Sequence, residues 1–308
     1  MWVEQYIQYL RYEKNYSSHT VFAYKRDLEQ FLAFASDTFQ LKHPSDIDAD
    51  IIRAWMLALM EKGDTARSVN RRLSSLRSYW RYLLRRGLVT ANPTQKVLTP
   101  KIKKNLPSFL KEDELNDLLD KVREEGQTDS FIETRDSLIL EMFCLTGIRR
   151  AELIGLKTGD LDMGSASLKV TGKRNKQRIL PFGSALKKSI EHYLALRRDY
   201  LDKLEDYPEE EPPFFINDKG QALSPRRVYS LVNKKLAEVG NLSKRSPHVL
   251  RHTFATTLLN RGAELNAVKE LLGHASLSAT EVYTHTTFEE LKKVYKLAHP
   301  RAEIEKGD

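Results

Sequence analysis

Between Ser246 and His285 the chain reads Ser246-Pro247-His248-Val249-Leu250-Arg251-His252, then Leu271-Leu272-Gly273-His274, then Tyr283-Thr284-His285. His248 and Arg251 stand three apart, which on a helix puts them on one face. An arginine fork matches the non-bridging oxygens of a phosphate, and an imidazole moves protons near neutral pH. A phenol of pKa about 10 attacks poorly at pH 7 unless nearby cations favour its anion or a base takes its proton. Given that help, Tyr283 is a nucleophile, and the set suffices to break and remake a phosphodiester with neither metal nor nucleotide. A metal pair is the competing reading, since His248 and His252 are four apart. Val249 stands where a zinc-protease helix carries glutamate, however, and no third ligand is evident. Taken singly, His274 is a core or capping histidine and Tyr283 a packing residue.

The elements that must position these groups are largely helical. Residues 136–145 are strongly apolar and run into Thr146-Gly147-Ile148-Arg149-Arg150-Ala151-Glu152-Leu153. By itself that turn is accounted for by a helix boundary with a surface ion pair. Ser167 to Val170 and Gln177 to Leu180 predict strands joined by Thr171-Gly172-Lys173-Arg174-Asn175-Lys176, a β-hairpin with Lys173 at its tip. An exposed turn lysine alone signals only solvation. Acidic residues between Asp199 and Glu211 mark a solvated helix end and loop, and Ser224-Pro225 opens a helix reaching Val239.

Upstream, apolar spacing predicts one or two helices over residues 1–35, the second capped within Ser17-Ser18-His19-Thr20. A third runs from Asp46 to Lys62 and a fourth from about Ala66 to Arg86. On the fourth, Arg67, Arg71, Arg77, Arg81 and Arg85 fall within an arc of about 120°. Val69, Leu73, Leu76, Trp80, Leu83 and Leu84 occupy the other side. An ordinary solvated helix face interleaves glutamate with arginine, and this one carries no acid. Residues 1–105 hold 18 Lys+Arg against 10 Asp+Glu, while residues 106–308 hold 32 of each, so the whole excess of +8 lies in the first third. A basic linker with Lys101, Lys103 and Lys104 follows, and the domain boundary is placed near residue 105. A polyanion such as DNA is the natural partner of this surface.

The ordered set Thr-Gly-Ile-Arg-x-x-Glu-Leu, hairpin Gly-Lys, His-Val-Leu-Arg-His, Leu-Leu-Gly-His and Tyr-Thr-His resembles the tyrosine recombinase (integrase) family, and the surrounding sequence is close to its XerC/XerD branch. Thr20-x-x-x-Tyr24-x-x-Asp27-Leu28, Arg72-Leu73-Ser74-Ser75-Leu76-Arg77, Asn92-Pro93 and Ala298-His299-Pro300-Arg301 extend the resemblance over essentially the full length. It implies a mainly α, two-domain DNA clamp: a helical core-binding domain over residues 1–105, and a catalytic domain over 106–308 with a small antiparallel β-sheet. It implies Arg149 and Arg251 as the phosphate clamp, and Lys173 as the acid protonating the 5′-oxygen. His248 manages the tyrosine's proton, His274 bonds a phosphate oxygen, Tyr283 attacks, and Glu152 orients the site from behind. Arg174 departs from the glycine often found after the hairpin lysine. The implied activity is site-specific recombination through a 3′-phosphotyrosine and a Holliday junction, without cofactor or metal. The implied role is resolution of chromosome dimers at a dif-like site, in a homo- or hetero-tetramer with a second recombinase and a DNA-translocase activator. The alternatives are an integrase of a mobile element and, from another class, a non-catalytic architectural DNA-binding protein.

The remaining bounds agree with that reading. No apolar run approaches the ~20 residues that span a bilayer. Met1-Trp2-Val3-Glu4 shows no secretory signal, no additional arm-binding domain is expected before the core-binding one, and the expected location is the cytoplasm. A lone Cys144, among Met142, Phe143 and Leu145, excludes internal disulfides and reads as a buried apolar residue. Residues 288–308, with Leu291, Val294, Tyr295 and Leu297 at helical spacing, are expected to dock on a neighbouring subunit.

Overall fold

The computed structural model describes residues 2–41, 43–102, 108–172, 175–204, 213–239, 242–273 and 291–296. The chain divides into two compact units, Met1–Asn105 and Leu106–Asp308.

The first unit is helical. α1 (Val3–Gln8) continues into a π-helical turn at Tyr9–Glu13. α2 (Ser18–Phe39) starts where the Ser17 hydroxyl accepts the Thr20 N–H, as the capping residues predict. The helix expected from Asp46 instead begins at Ala49: a short 3₁₀ turn occupies Pro44–Asp46, and the Asp48 carboxylate caps α3 (Ala49–Glu61) by accepting from the Asp50 and Ile51 N–H groups. α4 (Ala66–Arg85) is capped by Thr65. Its apolar face, with Val69, Leu73, Leu76, Tyr79, Trp80 and Leu83, is buried against Phe31 and Trp55 of α2 and α3, while Leu84 stays exposed.

The second unit surrounds α6 (Phe131–Thr146), whose exposure is low on every side from Ser137 to Thr146 because α5 (Glu112–Gly126), α8 (Ser184–Leu201), α9 (Pro225–Ala237) and α10 (Pro247–Asn260) all pack on it. This explains why its apolar residues show no single stripe. Cys144 is buried here, and burial pushes its thiol well above the usual range, as an inert core residue requires. α7 (Arg150–Ile154) is short and leads to a three-stranded antiparallel sheet of β1 (Leu161–Asp162), β2 (Ser167–Thr171) and β3 (Gln177–Pro181), in that order, with Leu168 opposite Leu180 and Val170 opposite Arg178. The hairpin follows the expected strands; β1 is too short to leave a sequence pattern. α11 (Leu265–Leu272) follows α10. Residues 291–296 are helical, and Leu291 and Tyr295 are buried in this unit's own core, Tyr295 beside Phe254. The expectation that these two apolar residues face a neighbouring subunit is therefore corrected; Leu297 and residues 298–308 lie outside the described residues.

Candidate active site

α6 ends in a turn that only glycine permits. Gly147 sits at φ 60° in the left-handed region, and a β-carbon there would collide with the Phe254 ring of α10. The turn delivers the Gly147 carbonyl to Arg251, whose Nη1 donates to it at 2.6 Å. Two residues on, Arg149 caps α7, and Glu152 accepts its backbone N–H at 2.9 Å through Oε2. Glu152 Oε1 accepts from Arg149 Nη1 at 2.8 Å. The pair is not the surface bridge its spacing alone predicts, because the Glu152 side chain is only 3% exposed.

That buried carboxylate has a second partner. Arg178 of β3 forks it, Nη1 to Oε1 at 2.7 Å and Nη2 to Oε2 at 2.8 Å. Arg178 is itself buried, and none of the sequence motifs includes it. A signal existed, since Arg178 and Leu180 share one face of a strand; a core-facing Leu180 turns an arginine inward, where it demands an anion.

All three guanidinium groups meet at the carbonyl end of α11. Arg178 Nε donates to Leu271 O at 2.8 Å, Arg251 Nη2 to Leu272 O, and Arg149 Nη2 to Gly273 O at 2.7 Å. The last carbonyls of a helix lack intrahelical partners and carry the negative end of its dipole, so they attract donors bearing positive charge. The Leu271-Leu272-Gly273 motif thus acts through its backbone, with Gly273 at φ 62° closing the helix.

Three guanidiniums against one carboxylate leave an excess of two positive charges. Burial by itself raises the Glu152 carboxyl, but the bonds and charge of Arg178, then the bonds from Arg149, outweigh it and hold the group down to about 2. Burial, then the charges of Arg149 and Arg178, push Arg251 down to about 9, so it remains cationic at neutral pH. Arg149 is the more open of the clamp pair, its side chain 32% exposed. Each of Arg149 and Arg251 keeps N–H groups beyond those engaged in these bonds, available to the oxygens of a phosphate. His248 is exposed one turn before Arg251 on α10, and His252 packs edge-on against Phe109 at 5.8 Å.

Lys173, His274 and Tyr283 lie outside the described residues, as does Arg174. The residues just before two of them are described and lie against the cluster. A β-carbon on Gly172 would stand 3.2 Å from Glu152 Oε1 and 3.9 Å from Arg149 Nη1, and Gly273 gives its carbonyl to Arg149.

The arginine face of α4 divides. Arg71 makes a two-bond fork, at 2.6 and 2.7 Å, to the buried Asp27, which also accepts from Ser75. Arg77 donates to the Val97 carbonyl and Arg85 to the Tyr9 hydroxyl, both at 2.9 Å. Arg67, Arg81 and Lys101 are exposed, and Lys103 and Lys104 lie outside the described residues.

With this geometry in view, comparison with known proteins gives a consistent result. Residues 108–290 match the model of the phage integrase family, and residues 3–87 match the phage integrase N-terminal SAM-like domain. A tyrosine recombinase XerC of Thermodesulfovibrio yellowstonii is 40% identical over 299 residues, covering 97% of this chain and 96% of the relative. The XerC of Pelotomaculum thermopropionicum is 41% identical over 304 residues, covering 97% and 98%. Among solved structures, the XerH site-specific recombinase bound to palindromic difH substrate, a post-cleavage complex, aligns with a TM-score of 0.70 at 22% identity, covering 96% of this chain and 83% of that one.

Proposed function

The chain belongs to the phage integrase family, the tyrosine recombinases, and from that premise we propose that it resolves chromosome dimers by site-specific recombination at a dif-like site. It is an enzyme that breaks and rejoins DNA strands. Arg149 and Arg251 take the non-bridging oxygens of the scissile phosphate, where charge builds as a fifth oxygen approaches. The Tyr283 oxygen bonds to phosphorus, its proton passing to His248, while the bond to the 5′-oxygen breaks and that oxygen takes a proton from Lys173. His274 bonds a phosphate oxygen. The 3′-phosphotyrosine keeps the energy of the phosphodiester, so the 5′-hydroxyl of a partner strand reverses the step with no nucleotide. Two such exchanges make and resolve a Holliday junction.

The observation that carries the reading is the convergence of three guanidiniums on the Leu271, Leu272 and Gly273 carbonyls, one residue before His274 and ten before Tyr283. Identity near 40% across the full length of proteins named XerC supports chromosome-dimer resolution over integration of a mobile element. In this reading the enzyme works in the cytoplasm, with the duplex held by the basic residues of both domains, as part of a tetramer with a second recombinase and a translocase activator. The boundary between the core-binding and catalytic domains falls at residue 105.

A nicked substrate whose 5′-hydroxyl fragment diffuses away traps the covalent adduct. The wild-type chain should shift to an adduct on a denaturing gel and Tyr283→Phe should not. No adduct on any sequence selected from a random pool, or an adduct retained by Tyr283→Phe, overturns the proposal.

A further inference from the structure

Arg178 is the most buried of the three cluster arginines, 4% exposed, and it donates to Glu152 and to the Leu271 carbonyl. It shares Glu152 Oε1 with Arg149 and the end of α11 with both clamp arginines. We propose that Arg178 is a positioning residue for strand cleavage: by forking Glu152 and holding Leu271 O, it ties β3 to the end of α11, sets the reach of Arg149, and fixes where the chain leaves that helix at Gly273. The inference rests on the recombinase reading above.

The geometry makes Gly273 part of the device. A β-carbon there would come to 3.1 Å from Arg178 Cδ and Nη1 and 3.2 Å from Nε, so the guanidinium end of Arg178 lies against the helix end where only a glycine leaves room. Removing the guanidinium releases a helix-end carbonyl and leaves a buried carboxylate held by the Arg149 backbone N–H and a single bond from Arg149 Nη1. Glu152 then draws harder on Arg149, in competition with the phosphate. Among the described residues, the charged groups around Glu152 are Arg149 at the start of its own helix, Arg178 from β3 and Arg251 from α10. β2 meets it through Gly172, and α9 meets α7 through the Pro225 carbonyl, which accepts from Arg150. Of the groups that hold Glu152 ionised, Arg178 contributes most, so its loss moves protonation of that carboxyl upward, toward the pH range where cleavage is measured.

The experiment compares wild type, Arg178→Met, Arg178→Lys, Glu152→Gln and the Arg178→Met/Glu152→Gln double variant in site binding and in single-turnover cleavage from pH 5 to 9. Arg178→Met should bind DNA within about threefold of wild type and cleave about 10- to 100-fold more slowly, the range seen when groups that orient functional side chains are removed. Its rate should fall more steeply toward pH 5 than that of wild type, over and above the loss every variant shares when the general base His248 takes a proton. Arg178→Lys should remove that extra fall and recover part of the rate, since it restores the charge but not the fork. The double variant should cleave no more slowly than Glu152→Gln and follow its pH profile. Multiplying defects in the double variant, or an Arg178→Met profile parallel to wild type, overturns the inference. If Arg178→Met does not fold, Arg178→Lys decides: a cleavage rate equal to wild type sinks the proposal, and a selective loss of cleavage with binding intact supports it. Wild type failing to form an adduct would instead count against the recombinase reading itself.

Discussion

Glu152 shows how much one carboxylate can organise. Because its folded-state value is depressed from 4.5 to about 2, it contributes stability that is full above pH 4.5 and is lost as pH falls toward 2. That amounts to roughly 3 kcal/mol at 1.36 kcal/mol for each unit. Glu152→Gln should therefore lose less stability than wild type between pH 5 and 2.5 in urea titrations; equal losses would show that the carboxyl is not held ionised by the arginines. Lys173 is tested through the leaving group. An alkoxide leaves badly unless protonated, whereas a thiolate whose acid has a pKa of about 8.5 hardly needs an acid. A substrate with sulfur at the bridging 5′ position should restore cleavage to Lys173→Ala but leave Tyr283→Phe dead and Arg251→Ala impaired. Should sulfur leave Lys173→Ala as slow as before, another group is the acid.

Among the elements, α4 separates two uses of arginine that look alike on a helical projection. Arg71 neutralises Asp27, which is 1% exposed, so Arg71→Ala leaves a buried carboxylate with Ser75 but no cation and should destabilise the first unit by about 1–3 kcal/mol, less than for a fully buried pair because the Arg71 side chain is 43% exposed. Thermal melts of that variant check the point, and any drop in its DNA affinity is confounded with unfolding. Arg67 and Arg81 are exposed and suit the salt test better. Replacing both with alanine should leave the melt unchanged and lower the slope of log affinity against log salt by up to about two units, one for each phosphate no longer neutralised. An unaltered slope would place the DNA elsewhere. α11 illustrates the converse, a helix whose contribution to the site is its three terminal carbonyls.

For the molecule as a whole, the consequence is that Leu291 and Tyr295 belong to the second unit's core. Leu291 is 2% and Tyr295 1% exposed, and burying side chains of that size stabilises by about 1.5–3 kcal/mol each. A chain ending before Phe288 should lower the melting temperature of the second unit even as an isolated protomer at high dilution. An unchanged melt without cooperative assembly on paired sites would return these residues to a neighbour's surface.

The residue types, their order and their spacing determined the helices, the hairpin and the family, because caps, breakers and apolar periods are local and the motif spacings survive in the linear chain. Ser17, Ser224 and Gly147 mark helix ends within a few residues of their own positions. Tertiary structure alone decided which charges face one another. Arg149 and Glu152 read as a surface pair until β3 brings Arg178, 26 residues from Glu152, into the same buried fork. Arg71 and Asp27, 44 residues apart, read as unrelated until α2 and α4 pack. The partner of a buried charge is set by contacts between distant segments, and a helix's terminal carbonyls carry no side-chain signature, so neither could be seen before the chain was folded.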